Sequence, residues 1–382
     1  MRMAISYPWR YAAFLAAYYI SNALYQGYAA LYLNAVGLNA RQIGLIQSAL
    51  PVCAVFALLA WGGLSDRSRN RARTLQAAAL LSALSMGLMG GAAGLPWLLL
   101  SLGLFNLCFP ALQPMGDSII LEALGRRPFG PLRMSASLAF ALGSLLFGYL
   151  LESRVRAFPL ATCAMMLLVA AAAQLLPFLP GRQRPGHTLP LRAFWALPGM
   201  KGLLSLFILL QLTMGYYFSF FPLYFTALPG GNKRLLGYAY LIGTLSELPF
   251  LGKGDRLYAR LGAERLLLCS AGVLTLRWAL LAALPGVFWA LIGQLLHAGG
   301  FIVLSFAMAK RVSQAVPEEL RARGQALVAV AGYGAARVAG NLLGAWIAGA
   351  YGTGAGFWYA AAVCLSALLG FGPYYLRKAN HV

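Results

Sequence analysis

Acidic residues are scarce in this chain: Asp and Glu number nine in 382 residues, against 30 Lys and Arg. Charged residues of both signs make up only 10% of the sequence and hydrophobic residues 60%, which leaves too little polar surface to clothe a soluble domain of this length. Histidine is scarcer still. His187, His297 and His381 are the whole set, without metal-ligand spacing, so neither a metal centre nor a cofactor is expected. Cys53, Cys108, Cys163, Cys269 and Cys364 fall in five different apolar blocks and read as small hydrophobic residues, with no disulfide or zinc site implied.

What is present in quantity is apolar sequence in blocks of about 20 residues, the length that crosses roughly 30 Å of hydrocarbon at about 1.5 Å per residue. Twelve such blocks lie near residues 11–34, 42–63, 74–93, 97–121, 131–151, 157–179, 201–228, 235–252, 264–284, 286–308, 324–350 and 355–376. The first is too long and too aromatic for a cleaved signal peptide and reads as the first span. The expected fold is an all-α membrane protein of twelve transmembrane helices.

The net charge of +21 invites a nucleic-acid reading, but its distribution opposes one. Of the 30 Lys and Arg, 22 fall on one side of the expected topology: Arg67, Arg69, Arg71 and Arg73, then Arg126, Arg127, Arg182, Arg184, Arg192 and Lys201, then Lys253, Arg256, Arg260, Arg265, Lys310, Arg311, Arg321 and Arg323, with Arg2, Arg10, Arg377 and Lys378 at the ends. Only Arg41, Arg154, Arg156, Lys233 and Arg234 fall on the other. This asymmetry is the positive-inside pattern and predicts a multi-pass protein of the cell membrane with both termini cytoplasmic. The expected partners are the lipid bilayer, protons and a small-molecule substrate; no nucleic-acid partner is expected, and the chain is expected to act as a monomer.

The chain divides in the middle. A linker at 181–198, rich in proline, glycine and arginine, separates a six-helix half at 1–180 from another at 199–382, and Asp66 with Arg67 after the second span is echoed by Asp255 with Arg256 after the eighth. Two six-helix pseudo-repeat halves are a transporter architecture.

Six ionisable residues lie inside the apolar blocks: Asp117, Arg133, Glu247, Arg277, His297 and Arg337. A charge at mid-membrane depth costs roughly 2.5–3.5 kcal/mol on insertion scales, so these groups are expected to pair around a polar cavity and to mark the functional site. Asp117 three residues after Pro114, and Glu247 two before Pro249, sit where proline frees backbone groups, as in interrupted helices that line binding sites. The aromatic run Tyr216 to Phe221 reads as packing or lipid-facing surface.

These residues resemble the major facilitator superfamily across the whole chain. The stretch from Gly62 through Asp66 and Arg67 to Arg71 is similar to its loop two/three signature, and the resemblance implies a gating role for Asp66, Arg67, Asp255 and Arg256. Within the superfamily the pattern is closer to the lactose permease and phenylpropionate permease branch. Phe129 to Met134 is similar to the start of that permease's fifth helix. The resemblance then implies substrate binding by Asp117, Arg133, Phe140, Arg277 and Arg337, and proton coupling through Glu247, Asp117 and His297.

Departures from that pattern bear on the substrate. Gly300 stands where the lactose permease has a proton-transferring carboxylate, and Gly215 and Phe218 stand where it has two acids. Three arginines then face two carboxylates. Surplus positive charge in a dry cavity is costly unless an anion neutralises it, so a small organic anion such as an aromatic carboxylate is expected, moved by alternating access with proton symport. The alternatives are a proton-coupled drug efflux carrier, a sugar or nucleoside symporter and, without a catalytic cluster to support it, an integral membrane enzyme.

Overall fold

The computed structural model of the chain describes residues 9–91, 94–125, 127–181, 194–195 and 197–379. Most of the expected linker (182–193 and 196) therefore lies outside the described residues, as do Arg2, Arg126, His187 and His381. The described residues form helices α1 (Trp9–Ala35), α2 (Ala40–Arg67), α3 (Arg71–Gly91), α4 (Leu95–Asn106), α5 (Phe109–Leu124), α6 (Gly130–Leu150), α7 (Phe158–Ala173), α8 (Met200–Ala227), α9 (Lys233–Ser246), α10 (Leu248–Ala283), α11 (Val287–Leu295), α12 (His297–Ala315), α13 (Arg321–Val328), α14 (Arg337–Tyr351) and α15 (Thr353–Ala379). No strand occurs among the described residues. Among the described residues ten stretches are long and apolar enough to span a membrane; α1 and the helix that begins at Lys233 complete twelve.

Local sequence explains many of the helix starts. Asn39 and Gln42 form a reciprocal capping box on α2, each side chain accepting the other residue's backbone N–H at 3.0 Å. The Asn232 side chain accepts from Leu235 N at 2.9 Å and caps α9. Helices α4, α5, α6, α7 and α10 each carry proline in the first turn, where a missing N–H costs nothing.

The chain forms two compact units, one of Met1–Val36 with Val52–Arg184 and one of Gly37–Pro51 with Pro185–Val382. Helix α2 passes from one unit to the other at Pro51. Its first part is tied within the second unit by Asn341 on α14, whose Nδ2 donates to Gly44 O at 2.9 Å and to Ser48 Oγ at 2.8 Å.

Each unit is built around its own first helix. In the first unit α1 is buried on nearly every side and packs on α6 and α7. In the second, α8 is buried likewise and packs on α14 and α15. Small residues permit both contacts: Gly143 of α6 lies against the Ile20 backbone, and Gly340 of α14 against the Leu212 carbonyl. The pairing of first with fifth and sixth spans therefore recurs as seventh with eleventh and twelfth.

Several spans are interrupted. The fourth breaks at Leu107 and Cys108, where the Leu107 carbonyl accepts from Trp61 Nε1 at 2.9 Å. The tenth breaks at Leu296, and the eleventh carries a π-helical segment, Ala329–Ala336, immediately before Arg337. One expectation is corrected here. Asp255 and Arg256 do not lie in a turn after the eighth span; they lie within α10, which runs on to a kink at Gly262 (φ 71°). Gly252 and Gly254 fall before Gly262, but neither takes a positive φ; the chain turns only at Gly262, because only glycine adopts that left-handed angle without strain.

Candidate functional site

The six intramembrane ionisable residues fall into two clusters, one in each unit. In the first unit α5 and α6 bring Asp117 and Arg133 together, with Arg133 Nη1 at 4.0 Å from Asp117 Oδ2. Gln113, one helical turn before Asp117, donates to the same oxygen at 3.5 Å. The Arg133 guanidinium lies 4.9 Å from the centre of the Tyr19 ring. Phe140 stands seven residues beyond Arg133, about 10.5 Å along the same face of α6, and is half-buried. Its carbonyl accepts from Ser144 Oγ, and its ring stacks on no other ring among the described residues.

The second unit holds a longer chain of contacts. Arg277 on α10 is fully buried. Its Nη2 donates to Gln294 Oε1 at 2.9 Å, and its Nη1 lies 3.1 Å from His297 Nδ1. A guanidinium only donates, so Nδ1 accepts and the imidazole proton sits on Nε2. That nitrogen faces Glu247 Oε1 at 3.4 Å. Glu247 occupies the break between α9 and α10, and His297 is the first residue of α12 after the break at Leu296, so both ends of this relay stand where a span is interrupted. Tyr217 closes the other side: its hydroxyl donates to Gln294 Oε1 at 3.0 Å and its ring centre lies 4.3 Å from the Arg277 guanidinium.

Arg337 stands apart from this relay. Its Nε donates to Gln211 Oε1 at 2.9 Å, and Phe218, Tyr333 and Phe301 lie 4.8, 4.9 and 5.9 Å from its guanidinium carbon. Gly215 lets the α8 backbone meet that of Arg337 directly. Among the described residues neither Arg277 nor Arg337 is paired with a carboxylate.

The aromatic run on α8 is thus no lipid-facing surface. Tyr216, Tyr217, Phe220 and Phe221 are buried, and Tyr217 and Phe218 each cover an arginine. Gln211, Gln294, Tyr333 and Phe301 are the other participants that reading for charge alone passed over. For three of them the signal was spacing: Phe301 is four residues after His297, Tyr333 four before Arg337, and Gln211 seven before Phe218, all intervals that share a helix face.

The expected gating residues belong to different units. Asp66 and Arg67 are exposed at the end of α2, and Asp66 lines a cavity of about 160 Å³ with Ser65, Arg71, Met115 and Ser118. The buried cation there is Arg71, whose guanidinium donates to Glu122 Oε2 at 2.9 Å and Ser118 Oγ at 2.6 Å. Asp255 is exposed and accepts from Lys310 Nζ at 2.7 Å, while Arg256 is exposed.

Residues 8–359 match the MFS_1 like family. The chain is 28% identical over 307 residues to the probable 3-phenylpropionic acid transporter of Escherichia coli (strain K12), covering 78% of this chain and 79% of that one. It is 32% identical over 323 residues to the maltose permease of Geobacillus stearothermophilus, covering 81% and 77%. The fold is also that of the nucleoside transporter NupG, with a TM-score of 0.81 at 14% identity over 96% of this chain and 98% of the other. By its match over most of its length, this chain belongs to the MFS_1 like family, and it is a multi-pass membrane transporter of the major facilitator type.

Proposed function

We propose that the protein carries a small organic anion, of the aromatic carboxylate class, by alternating access with proton symport. The observation that carries this reading is the charge balance of the second unit. Arg277 and Arg337 are held among aromatic rings and amides with no carboxylate on either, and the cluster's acid, Glu247, contacts His297 instead. A low-dielectric site stores such surplus charge at high cost, and a bound anion removes it. The named activity of the E. coli relative, a 3-phenylpropionic acid transporter, supports the same class.

The relay from Arg277 through His297 to Glu247 supplies the coupling. While His297 accepts from Arg277 on Nδ1, it holds one proton, on Nε2 toward Glu247. A further proton on Nδ1 would set donor against donor and release Arg277, whereas a proton taken by Glu247 removes the charge that His297 now faces. Either event changes which groups Arg277 can hold, and the membrane potential adds about 2.3 kcal/mol per charge moved through 100 mV. Asp117 with Arg133 provides a second carboxylate that can exchange partners when substrate arrives. Movement is assigned to the halves 1–180 and 199–382 about the linker 181–198, with both termini cytoplasmic on the arginine asymmetry and the chain acting as a monomer. Asp66, Arg67, Asp255 and Arg256 bias the cytoplasmic gate in this scheme.

A neutral sugar is the second reading, favoured by the 32% identity to a maltose permease and by the amide-flanked Asp117. Purified protein in proteoliposomes separates the two. With an inward proton gradient, 3-phenylpropionate should accumulate and maltose should not, and an uncoupler should stop the accumulation. Uptake of maltose alone, or uptake indifferent to the uncoupler, refutes the corresponding part.

A further inference from the structure

Resting on that anion-carrier reading, we propose that Arg337 and Gln211 together form the receptor for the substrate's carboxylate, and that the rings of Phe218, Phe301 and Tyr333 around them select an aromatic substrate. The second unit offers two arginines, and their surroundings distinguish them. Arg277 also has donors nearby without acceptors, its own Nε and the Gln294 Nε2, but it is fully buried, with both terminal nitrogens committed, one to His297 and one to Gln294, beneath the face of Tyr217, so it is closed to a ligand that enters from solvent. Arg337 is only half-buried, and the bond from its Nε to Gln211 is the one hydrogen bond its guanidinium makes among the described residues.

What is left over at Arg337 is a matched pair of donors. Its Nη2 is buried without an acceptor, and so is the Nε2 of Gln211, a side chain fully shielded from solvent. The amide of Gln211 cannot turn to relieve this, because its oxygen already accepts from Arg337 Nε. Buried donors without acceptors are rare in native interiors and costly, about 1–3 kcal/mol each, which marks the place as built for an acceptor that arrives. A carboxylate brings two acceptor oxygens and one negative charge. It satisfies both donors and neutralises the guanidinium in one step, which a hydroxyl or a neutral amide cannot do.

The site is also rigidly backed. Gln211 and Arg337 ride on α8 and α14, whose backbones touch where Gly215 meets Arg337 and where Gly340 meets the Leu212 carbonyl. A π-helical segment ends at the residue before Arg337 and carries Tyr333, and such segments recur at functional sites. Three aromatic rings line the approach, so a ligand that bears a ring next to its carboxylate gains stacking that an aliphatic acid of similar length does not.

The test uses the full-length protein, with binding of 3-phenylpropionate, its neutral analogue 3-phenylpropan-1-ol and hexanoate measured in detergent, and counterflow in proteoliposomes. Wild type should prefer 3-phenylpropionate to both others. Arg337→Gln should weaken it about 30-fold, with partial recovery in Arg337→Lys. Gln211→Glu keeps the arginine but supplies an internal carboxylate to it, and should weaken 3-phenylpropionate binding to a similar extent; this variant decides the matter if Arg337→Gln fails to fold. Phe301→Leu should remove most of the preference over hexanoate. Binding within about twofold of wild type in Arg337→Gln or Gln211→Glu overturns the receptor assignment and leaves the carrier reading standing. A wild type that binds no carboxylate, yet transports a neutral sugar, overturns the anion reading itself.

Discussion

His297 Nε2 stands 3.4 Å from Glu247 Oε1, although the two residues belong to different spans and each sits at the point where its span is broken. Broken helices place side chains at the membrane's middle while backbone groups there find partners outside the regular ladder; Ser246 Oγ, for example, accepts from Ala298 N at 3.2 Å. The proton-bearing pair is therefore joined to the packing of α9 against α12. In the proposed scheme, protonation of this pair would act on two discontinuous helices at once.

Glu247→Gln should accordingly separate coupling from carriage. The amide keeps the size of the carboxylate and can accept from His297, but it binds no proton in this range of pH. Uphill uptake driven by a proton gradient should vanish, while substrate exchange across the membrane without a gradient should persist at a comparable rate. Paired gradient-driven and exchange assays in proteoliposomes check this, and equal loss of both would reject Glu247 as a coupling group.

The Gln294 amide holds two buried donors, Tyr217 Oη and Arg277 Nη2, with a single oxygen. Gln294→Leu leaves both without an acceptor, one of them a charge, and is expected to destabilise the protein by about 2–4 kcal/mol. Gln294→Glu supplies the missing anion to Arg277 and should preserve the fold. Thermal unfolding of the two variants in one detergent should place the leucine form well below the glutamate form.

Cation position was legible in the sequence; cation environment was not. Apolar blocks of membrane-spanning length located all six intramembrane ionisable groups, because a charge in such a block stands out against its neighbours. Arg277 and His297, both marked in this way, meet at 3.1 Å. What escaped was every uncharged partner. Gln211, Gln294 and Tyr217 look unexceptional in the sequence, and only packing of α8 and α11 against α10 and α14 makes them ligands of arginine. Helix ends escaped as well: α10 runs through Gly252, Gly254 and Asp255 and turns only at Gly262, the one of these glycines with a positive φ, whereas the echo of Asp66 and Arg67 had suggested an earlier turn.

Two cytoplasm-assigned ion pairs should behave differently on removal. Arg71 is buried and bonded to both Glu122 and Ser118, so Arg71→Met should cost about 2 kcal/mol or more. Lys310 meets an Asp255 whose side chain is 77% exposed, and an exposed pair is worth about 0–1 kcal/mol, so Lys310→Met should leave thermal stability nearly unchanged. A large loss from Lys310→Met would show that its partner is more enclosed than the structure has it.

Gly340 is the tightest point of the α8 and α14 contact, since a side-chain carbon there would run into the Leu212 carbonyl. Gly340→Val must push the two helices apart, and with them Gln211 from Arg337, because those residues flank the contact on the same pair of helices. Transport should fall to background, and binding of an aromatic carboxylate should weaken along with it. Gly370→Ala provides the contrast: nothing lies near the carbon it adds, and alanine is about 1 kcal/mol better than glycine within a helix, so stability should hold or rise with transport intact. Counterflow rates and melting temperatures of the two variants, set side by side, distinguish a contact that positions the receptor from the general tolerance of membrane helices for small substitutions.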